Sequence, residues 1–389
     1  MKILHVIGSM DPRRGGPCQG IRNLATRMVE AGNTVEVVCL DDPRSEYLSG
    51  ETMRIHALAR GWGSWNYHPQ LLPWLKGNLP RFDAIILNGL WQHPGYALSR
   101  VAGRPDMPPY FIFPHGMLDP WFQNAPDRRL KAARNWLYWK LIEQRVIQNA
   151  GAILFTCQEE MRLAQKTFQP FRPKREINVG YGVAHPPDYR GNMEKAFGER
   201  CPGLGEMPYL LFLSRIHPKK GVDLLIKAYG LLCRSRGGSS LPKLVIAGPG
   251  LETPYGQSMR KLGAELCPPG SLFWPGMLTG DAKWGALYHC EASVLPSHQE
   301  NFGITVVETL ACGRPVLISD QVNIWREIKE AGAALVQENS VAGAAQLFTD
   351  WLSLPAEARS HMSAKAKICF QRSFSIESAA RNLLTAINS

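Results

Sequence analysis

Short apolar runs rich in β-branched residues recur along this chain, and most close on a glycine or a polar residue. "KILHVIG", "NTVEVVCL", "DAIILNG", "PYFIFPHG" and "AGAILFTC" come first, and "PYLLFLS", "PKLVIAG", "SLFWPG", "EASVLPS", "RPVLIS" and "AALVQ" follow. Helix-period segments lie between them, such as "GPCQGIRNLATRMVEAG", which stops at Gly32, and "GVDLLIKAYGLLCR". Strands that alternate with helices require crossover connections, and therefore parallel, doubly wound sheets. The stretch 185–207, "HPPDYRGNMEKAFGERCPGLGEM", is rich in Pro and Gly, lacks an apolar period and reads as a linker. The expected architecture is two Rossmann-like α/β domains, 1–190 and 191–373, facing across a cleft. A terminal helix at about 374–389 is expected to pack back on the first. In such sheets ligands bind beyond the carboxyl ends of the strands, so the cleft is the expected site.

The 389 residues suffice for two domains, and 45% hydrophobic with 20% charged residues fits a globular enzyme. "MKILHVIGSM" holds one lysine and an apolar run too short for a signal-peptide core, and no run approaches a membrane span. The nine cysteines show no CxxC pair and no metal-like spacing, which reads as reduced thiols in the cytoplasm. Charge is uneven: residues 1–190 carry 24 Lys+Arg against 16 Asp+Glu, and residues 191–389 carry 20 against 17. A basic first half suits an anionic partner, either a phosphate-bearing substrate or an anionic membrane surface. The positive charges are dispersed and no nucleic-acid module is present, so no nucleic-acid partner is expected.

Two segments carry the chemistry of the second half. In "HQENFGITVVE", Glu300 follows a buried strand and Glu308 lies a turn into the next helix, with Asn301, Phe302 and Gly303 between them. If that helix begins near Ile304, the amides around Phe302, Gly303 and Ile304 are its unpaired donors and favour a phosphate. The two carboxylates would then accept hydroxyls at either end of a bound diphosphate, one from a sugar and one from a ribose. The alternative is a capping Glu300 and a solvated Glu308. In "SRIHPKKG", Arg215 and Lys220 put cations at another strand end, where they would neutralise a diphosphate leaving group. A solvated basic loop is the alternative there.

This combination resembles the retaining GT-B glycosyltransferases of the family-four type, closely over the second domain and more loosely over the first. The resemblance implies a nucleoside-diphosphate sugar as donor substrate, with no other cofactor and no metal. It makes Arg215 and Lys220 diphosphate ligands and Glu300 the contact to the donor sugar. Phe302, Gly303 and Ile304, next to Asn301, become the phosphate turn, and Glu308 the ribose ligand. Gly276 and Met277 fall near the nucleobase. In the first half, "SMDPRRGGPCQG" is not GxGxxG, which disfavours a dinucleotide site. The resemblance gives Gly15 and Gly16 a close backbone approach to the donor phosphates and acceptor, although a plain loop-to-helix turn also fits them. His115, in "FPHGMLDPW", resembles the family's histidine that contacts the transferring sugar, a text typical of enzymes that build bacterial surface polysaccharides. A structural histidine is the alternative.

"DRRLKAARNWLYWKLIEQRVIQ", residues 127–148, reads as a basic helix with Trp136, Tyr138 and Trp139. Either its aromatics pack on the domain or it contacts an anionic membrane to reach a lipid-linked glycan acceptor. Charge reversal at Arg128, Arg129 and Lys131 tests the second reading. The expected protein is a cytoplasmic glycosyltransferase, peripheral at the inner membrane face. The alternatives are a nucleotide-sugar epimerase of the same fold and a catalytically idle scaffold subunit.

Overall fold

The structure, a computed structural model, describes residues 1–102, 104, 106–124, 129–236 and 241–389. It divides into two compact units: Met1–Gly182 with Ile376–Ser389, and Val183–Ser375. Each is built on one fully parallel sheet. In the first unit the strands are β1 (Lys2–Ile7), β2 (Thr34–Cys39), β3 (Arg54–Ala57), β4 (Ala84–Asn88), β5 (Tyr110–Phe113), β6 (Ala152–Phe155) and β7 (Glu176–Asn178). They lie in the order β3-β2-β1-β4-β5-β6-β7. In the second unit β8 (Tyr209–Leu213), β9 (Lys243–Ala247), β10 (Leu272–Gly276), β11 (Ala292–Leu295), β12 (Val316–Ser319) and β13 (Ala334–Gln337) lie in the order β10-β9-β8-β11-β12-β13. The architecture is therefore the doubly wound Rossmann-like pair that the alternation predicts.

Both sheets reverse direction of build at their first strand, between β1 and β4 and between β8 and β11. The loops leaving those strands diverge there and open a crevice at the carboxyl edge. Side-chain alternation covers both faces of the first sheet. Leu4, Val6, Ile85, Leu87, Ile112 and Ile153 point into one core, and Ile3, Val35, Val37, Ile86, Phe111 and Leu154 into the other. The edge strands β3 and β7 escape the apolar pattern. "RIHA" and "EIN" are short and half-buried, so one face of each meets solvent.

The stretch 185–207 departs from the linker reading. Gly191–Arg200 is a helix, and Met193 and Phe197, four residues apart, are buried on one side of it. That side packs on the helix Gly280–His289, where a Cβ on Gly285 would lie 2.1 Å from the Met193 carbonyl oxygen. Two buried apolar residues in ten give too short a period to stand out in sequence. The helix Ile376–Asn388 lies in the first unit, where Arg27 and Glu377 pair at 3.0 Å.

The segment 127–148 is not one uniform helix. Arg129–Tyr138 is α-helical, Trp139–Glu143 forms a π-helical stretch, and Gln144–Asn149 resumes the α-helix. Trp139 is fully buried and stacks on Phe168 at 4.8 Å. Asp127 and Arg128 lie outside the described residues.

Candidate active site

In the second unit, strand ends on both sides of the β8/β11 switch point bring together the residues of the two charged segments. After β8, the chain runs through exposed Arg215 into a 3-10 turn, Pro218–Lys220, that His217 caps by accepting the Lys219 amide. Gly221 ends that turn at φ 67°, and a Cβ there would lie 2.0 Å from the carbonyl oxygen of Pro296. Only glycine lets the cationic turn come this close to the loop that follows β11. The Lys219 carbonyl accepts the His298 amide at 2.8 Å, which ties the two loops together. Burial and then the neighbouring Arg215, Lys219 and Lys220 lower the His217 pKa, a sign of concentrated positive charge.

Glu300 stands on the facing loop. Its carboxylate forms a short ion pair with the buried Lys220 ammonium. Its backbone is held as well: the Glu300 amide donates to Gln321 at 3.0 Å and its carbonyl accepts from Asn323 at 3.0 Å. Asn323 also donates through its side chain to Asn301 at 3.4 Å. Phe302 is buried, 5.8 Å from Phe374 in an edge-to-face contact. Gly303, at φ 79°, caps the helix Ile304–Ala311 without a side-chain hydrogen bond. The amides of Gly303 and Ile304 have no acceptor among the described residues, so they are donors aimed out of the helix N-terminus.

Glu308 lies inside that helix, and it is not solvated. Lys283, from the helix Gly280–His289, donates to it at 2.7 Å while lying 4.0 Å over the Trp284 ring. Gly276 ends β10 at φ 74° and Met277 beside it is 59% exposed. Arg200 reaches the carbonyls on either side of that glycine, of Pro275 at 3.2 Å and Met277 at 3.4 Å. The misread linker helix thus fixes this strand end. Sequence reasoning also missed Lys283, whose "GDAKW" context gives no sign of its partner 25 residues away.

The first unit holds the remaining candidates. Gly15, at φ 94°, precedes the helix Gly16–Glu30, and the Gly16 carbonyl accepts the Tyr181 hydroxyl at 2.7 Å. His115 sits at φ 52°, a left-handed conformation rare outside glycine. Glu160 holds this turn by accepting the Gly116 amide at 2.5 Å, and it also takes the Thr156 amide and hydroxyl at 2.7 and 2.6 Å. His115 Nε2 lies 3.2 Å from Asn88 Oδ1, and Asn88 Nδ2 lies 3.2 Å from His5 Nδ1. With the amide oriented by these contacts, His115 donates to Asn88 and Asn88 donates to His5. Burial lowers the His115 pKa to about 3 and the His5 pKa to about 4, so both rings are neutral at ordinary pH. Glu160 is the second residue missed, since a glutamate in "CQEE" looks like any first-turn helix acid.

A known family model matches within each of the two units. Residues 203–368 match the model of glycosyl transferases group 1, and residues 15–182 match a glycosyl transferase 4-like domain. The chain belongs to the GT-B glycosyltransferases of the family-four type. Among curated relatives of this glycosyltransferase, glycogen synthase of Mycobacterium tuberculosis is 25% identical over 357 residues, 82% of this chain and 78% of that one. D-inositol 3-phosphate glycosyltransferase of Actinosynnema mirum is 34% identical over 136 residues, 31% of this chain and 30% of that one. A glycosyltransferase from Rickettsia africae superposes with a TM-score of 0.77 at 14% identity, covering 100% of this chain and 97% of that one. HepE of Anabaena, solved with UDP and glucose, gives 0.72 at 14% identity, with 100% and 99% covered. At that identity the two structures speak to the fold alone.

Proposed function

We propose that this glycosyltransferase moves a sugar, with retention, from a nucleoside-diphosphate sugar to a glycan acceptor in polysaccharide biosynthesis. The observation that carries the reading is the convergence at the β8/β11 switch point. The Arg215–Lys220 loop follows β8 and Glu300 follows β11, and the next helix carries the free amides of Gly303 and Ile304 at its N-terminus and Glu308 inside it. Cations and amide dipoles in one crevice stabilise the charge that builds on a departing diphosphate. Their charge is the support for transfer without a metal. Glu300, anchored by Lys220, accepts hydroxyls of the donor sugar, and Glu308 accepts those of the ribose. HepE, which shares this fold, was solved with UDP, a nucleoside diphosphate of the proposed class.

In the proposed step the bond from the anomeric carbon to the diphosphate oxygen breaks. The acceptor hydroxyl oxygen bonds that carbon on the same face, and its proton passes to the departing phosphate. The protein positions the partners and stabilises charge. His115, held neutral with its Nε2–H on Asn88, offers Nδ1 as an acceptor to a sugar hydroxyl and has no proton to give.

The segment 129–148 supports a lipid-linked acceptor at the cytoplasmic membrane face. Leu130, Trp136, Leu137 and Leu141 are exposed there, interspersed with Lys131, Arg134 and Lys140. Exposed apolar residues set among basic ones suit an anionic lipid surface. No helix among the described residues is long and apolar enough to cross a membrane. The test is incubation with UDP-, GDP-, ADP- and TDP-sugars and membrane-extracted glycolipids, following nucleotide release and the anomeric signal of the product by NMR. An α-product from an α-donor supports the reading, and an inverted product overturns retention.

A further inference from the structure

The first unit holds a cavity of about 800 Å³ at its own switch point, between the loops that leave β1 and β4. That size falls within the ~300–1,000 Å³ of small-molecule sites. Among the described residues its lining contains two arginines, Arg14 and Arg134, and no aspartate or glutamate. This asymmetry is informative, because a pocket for a neutral sugar gains most from carboxylates that accept its hydroxyls.

A neighbouring cation is closely paired where these two are not. Arg13, one residue before Arg14, clamps Asp11 at 2.7 Å. Neither Arg14 nor Arg134 has a carboxylate within ion-pair distance among the described residues, and Arg134 donates only to the Asn135 side chain at 3.2 Å. The rest of the wall has the character of a sugar site. Trp65 and Trp91 present aromatic rings, and the Trp65 indole donates to the Tyr138 hydroxyl at 2.7 Å. Tyr138 thereby keeps its own proton for a ligand oxygen, and the Gln92 amide has no hydrogen-bond partner among the described residues. Trp91 is held at φ 69°, a strained conformation for a bulky residue that places it on this wall.

We propose that this cavity binds a pyranose carrying an anionic group, a phosphate ester or a carboxylate, that pairs with Arg14 and Arg134 while the ring packs on Trp65 and Trp91. As the acceptor subsite it rests on the transferase reading above; as an anionic-sugar site it stands on the cavity alone.

The test uses the full chain and three probes at matched ionic strength: glucose 1-phosphate, glucuronic acid and methyl glucoside, with inorganic phosphate as control. Calorimetric titration is expected to give at least about tenfold tighter binding for one charged sugar than for both methyl glucoside and inorganic phosphate. A preference for glucose 1-phosphate assigns a phosphorylated or diphospholipid-borne sugar, and a preference for glucuronic acid assigns a uronate-ended glycan. Arg134→Met, a change at an exposed position, is expected to remove the preference. The rise in Tm with UDP, which reads the other unit, is expected to stay. Equal binding of methyl glucoside, or an undiminished preference in Arg134→Met, overturns the proposal. If charged sugars bind through Arg134 but no nucleotide stabilises the chain, the donor reading fails and this one stands. If UDP stabilises and charged sugars do not bind, this one fails alone.

Discussion

Lys283 holds Glu308 at 2.7 Å, helix to helix, and both side chains are largely shielded from solvent. A carboxylate fixed in this way is preset to accept two ribose hydroxyls, with its charge already balanced. Lys283→Met strands a mostly buried carboxylate and is expected to cost about 1–3 kcal/mol of stability by urea unfolding. Nucleotide affinity is expected to fall with it. In Lys283→Met/Glu308→Gln the stability is expected to recover in part, because no unpaired charge remains.

Gly221→Ala is the sharpest test of how the cationic turn is seated. The residue is left-handed, and its Cβ would overlap the Pro296 carbonyl. A loss above about 3 kcal/mol, or failure to accumulate folded protein, is expected, because strain and backbone collision add. Thermal unfolding beside Gly205→Ala, also left-handed but with open space around its Cβ, separates the collision from the φ effect.

Glu143 gives a pH signature. It is fully buried, and burial raises its pKa to about 8 against an ordinary 4.5. A raised folded pKa contributes stability that is fully present below the unfolded value and lost as pH rises through the folded one. Glu143→Gln cannot ionise and escapes that loss. The variant is expected to gain on wild type between pH 5 and pH 8, reaching ~2–4 kcal/mol near pH 7–8. Urea midpoints across this range read it.

For His5 and His115 the sign is opposite. Their folded pKa values of about 4 and about 3 lie below the ordinary 6.5, so their contribution holds above pH 6.5 and drains as pH falls below it. His115→Ala is expected to lower kcat by about tenfold, the scale of one lost neutral hydrogen bond to the sugar. Since His115 stays neutral, the limbs of the pH–rate profile between pH 5 and 8 are expected to keep their positions in the variant.

How far the sequence discloses this molecule depends on whether an element is defined by its own residues or by its partners. Strands buried on both faces are continuous apolar runs, so β1, β4, β8 and β11, and with them both switch points, are legible. β3 and β7 are not, because edge strands carry polar residues on a solvent face. Gly191–Arg200 has only Met193 and Phe197 to bury, too few to show a period. The site divides the same way. Arg215, Lys220, Glu300 and Gly303 lie in local patterns with chemical meaning. Lys283 and Glu160 act through contacts 25 and 44 residues away, which only the folded chain reveals.

The most direct measurement of the central claim is the Tm of the full chain against UDP, GDP, ADP and TDP, for wild type and Glu308→Gln. A ligand that binds only the folded state raises Tm by mass action. The account predicts a clear rise with one nucleoside diphosphate in wild type, reduced in Glu308→Gln at the same concentration. No rise with any of the four at millimolar concentration, in well-folded protein, would contradict a nucleotide-sugar site at the β8/β11 switch point and leave the idle-scaffold reading.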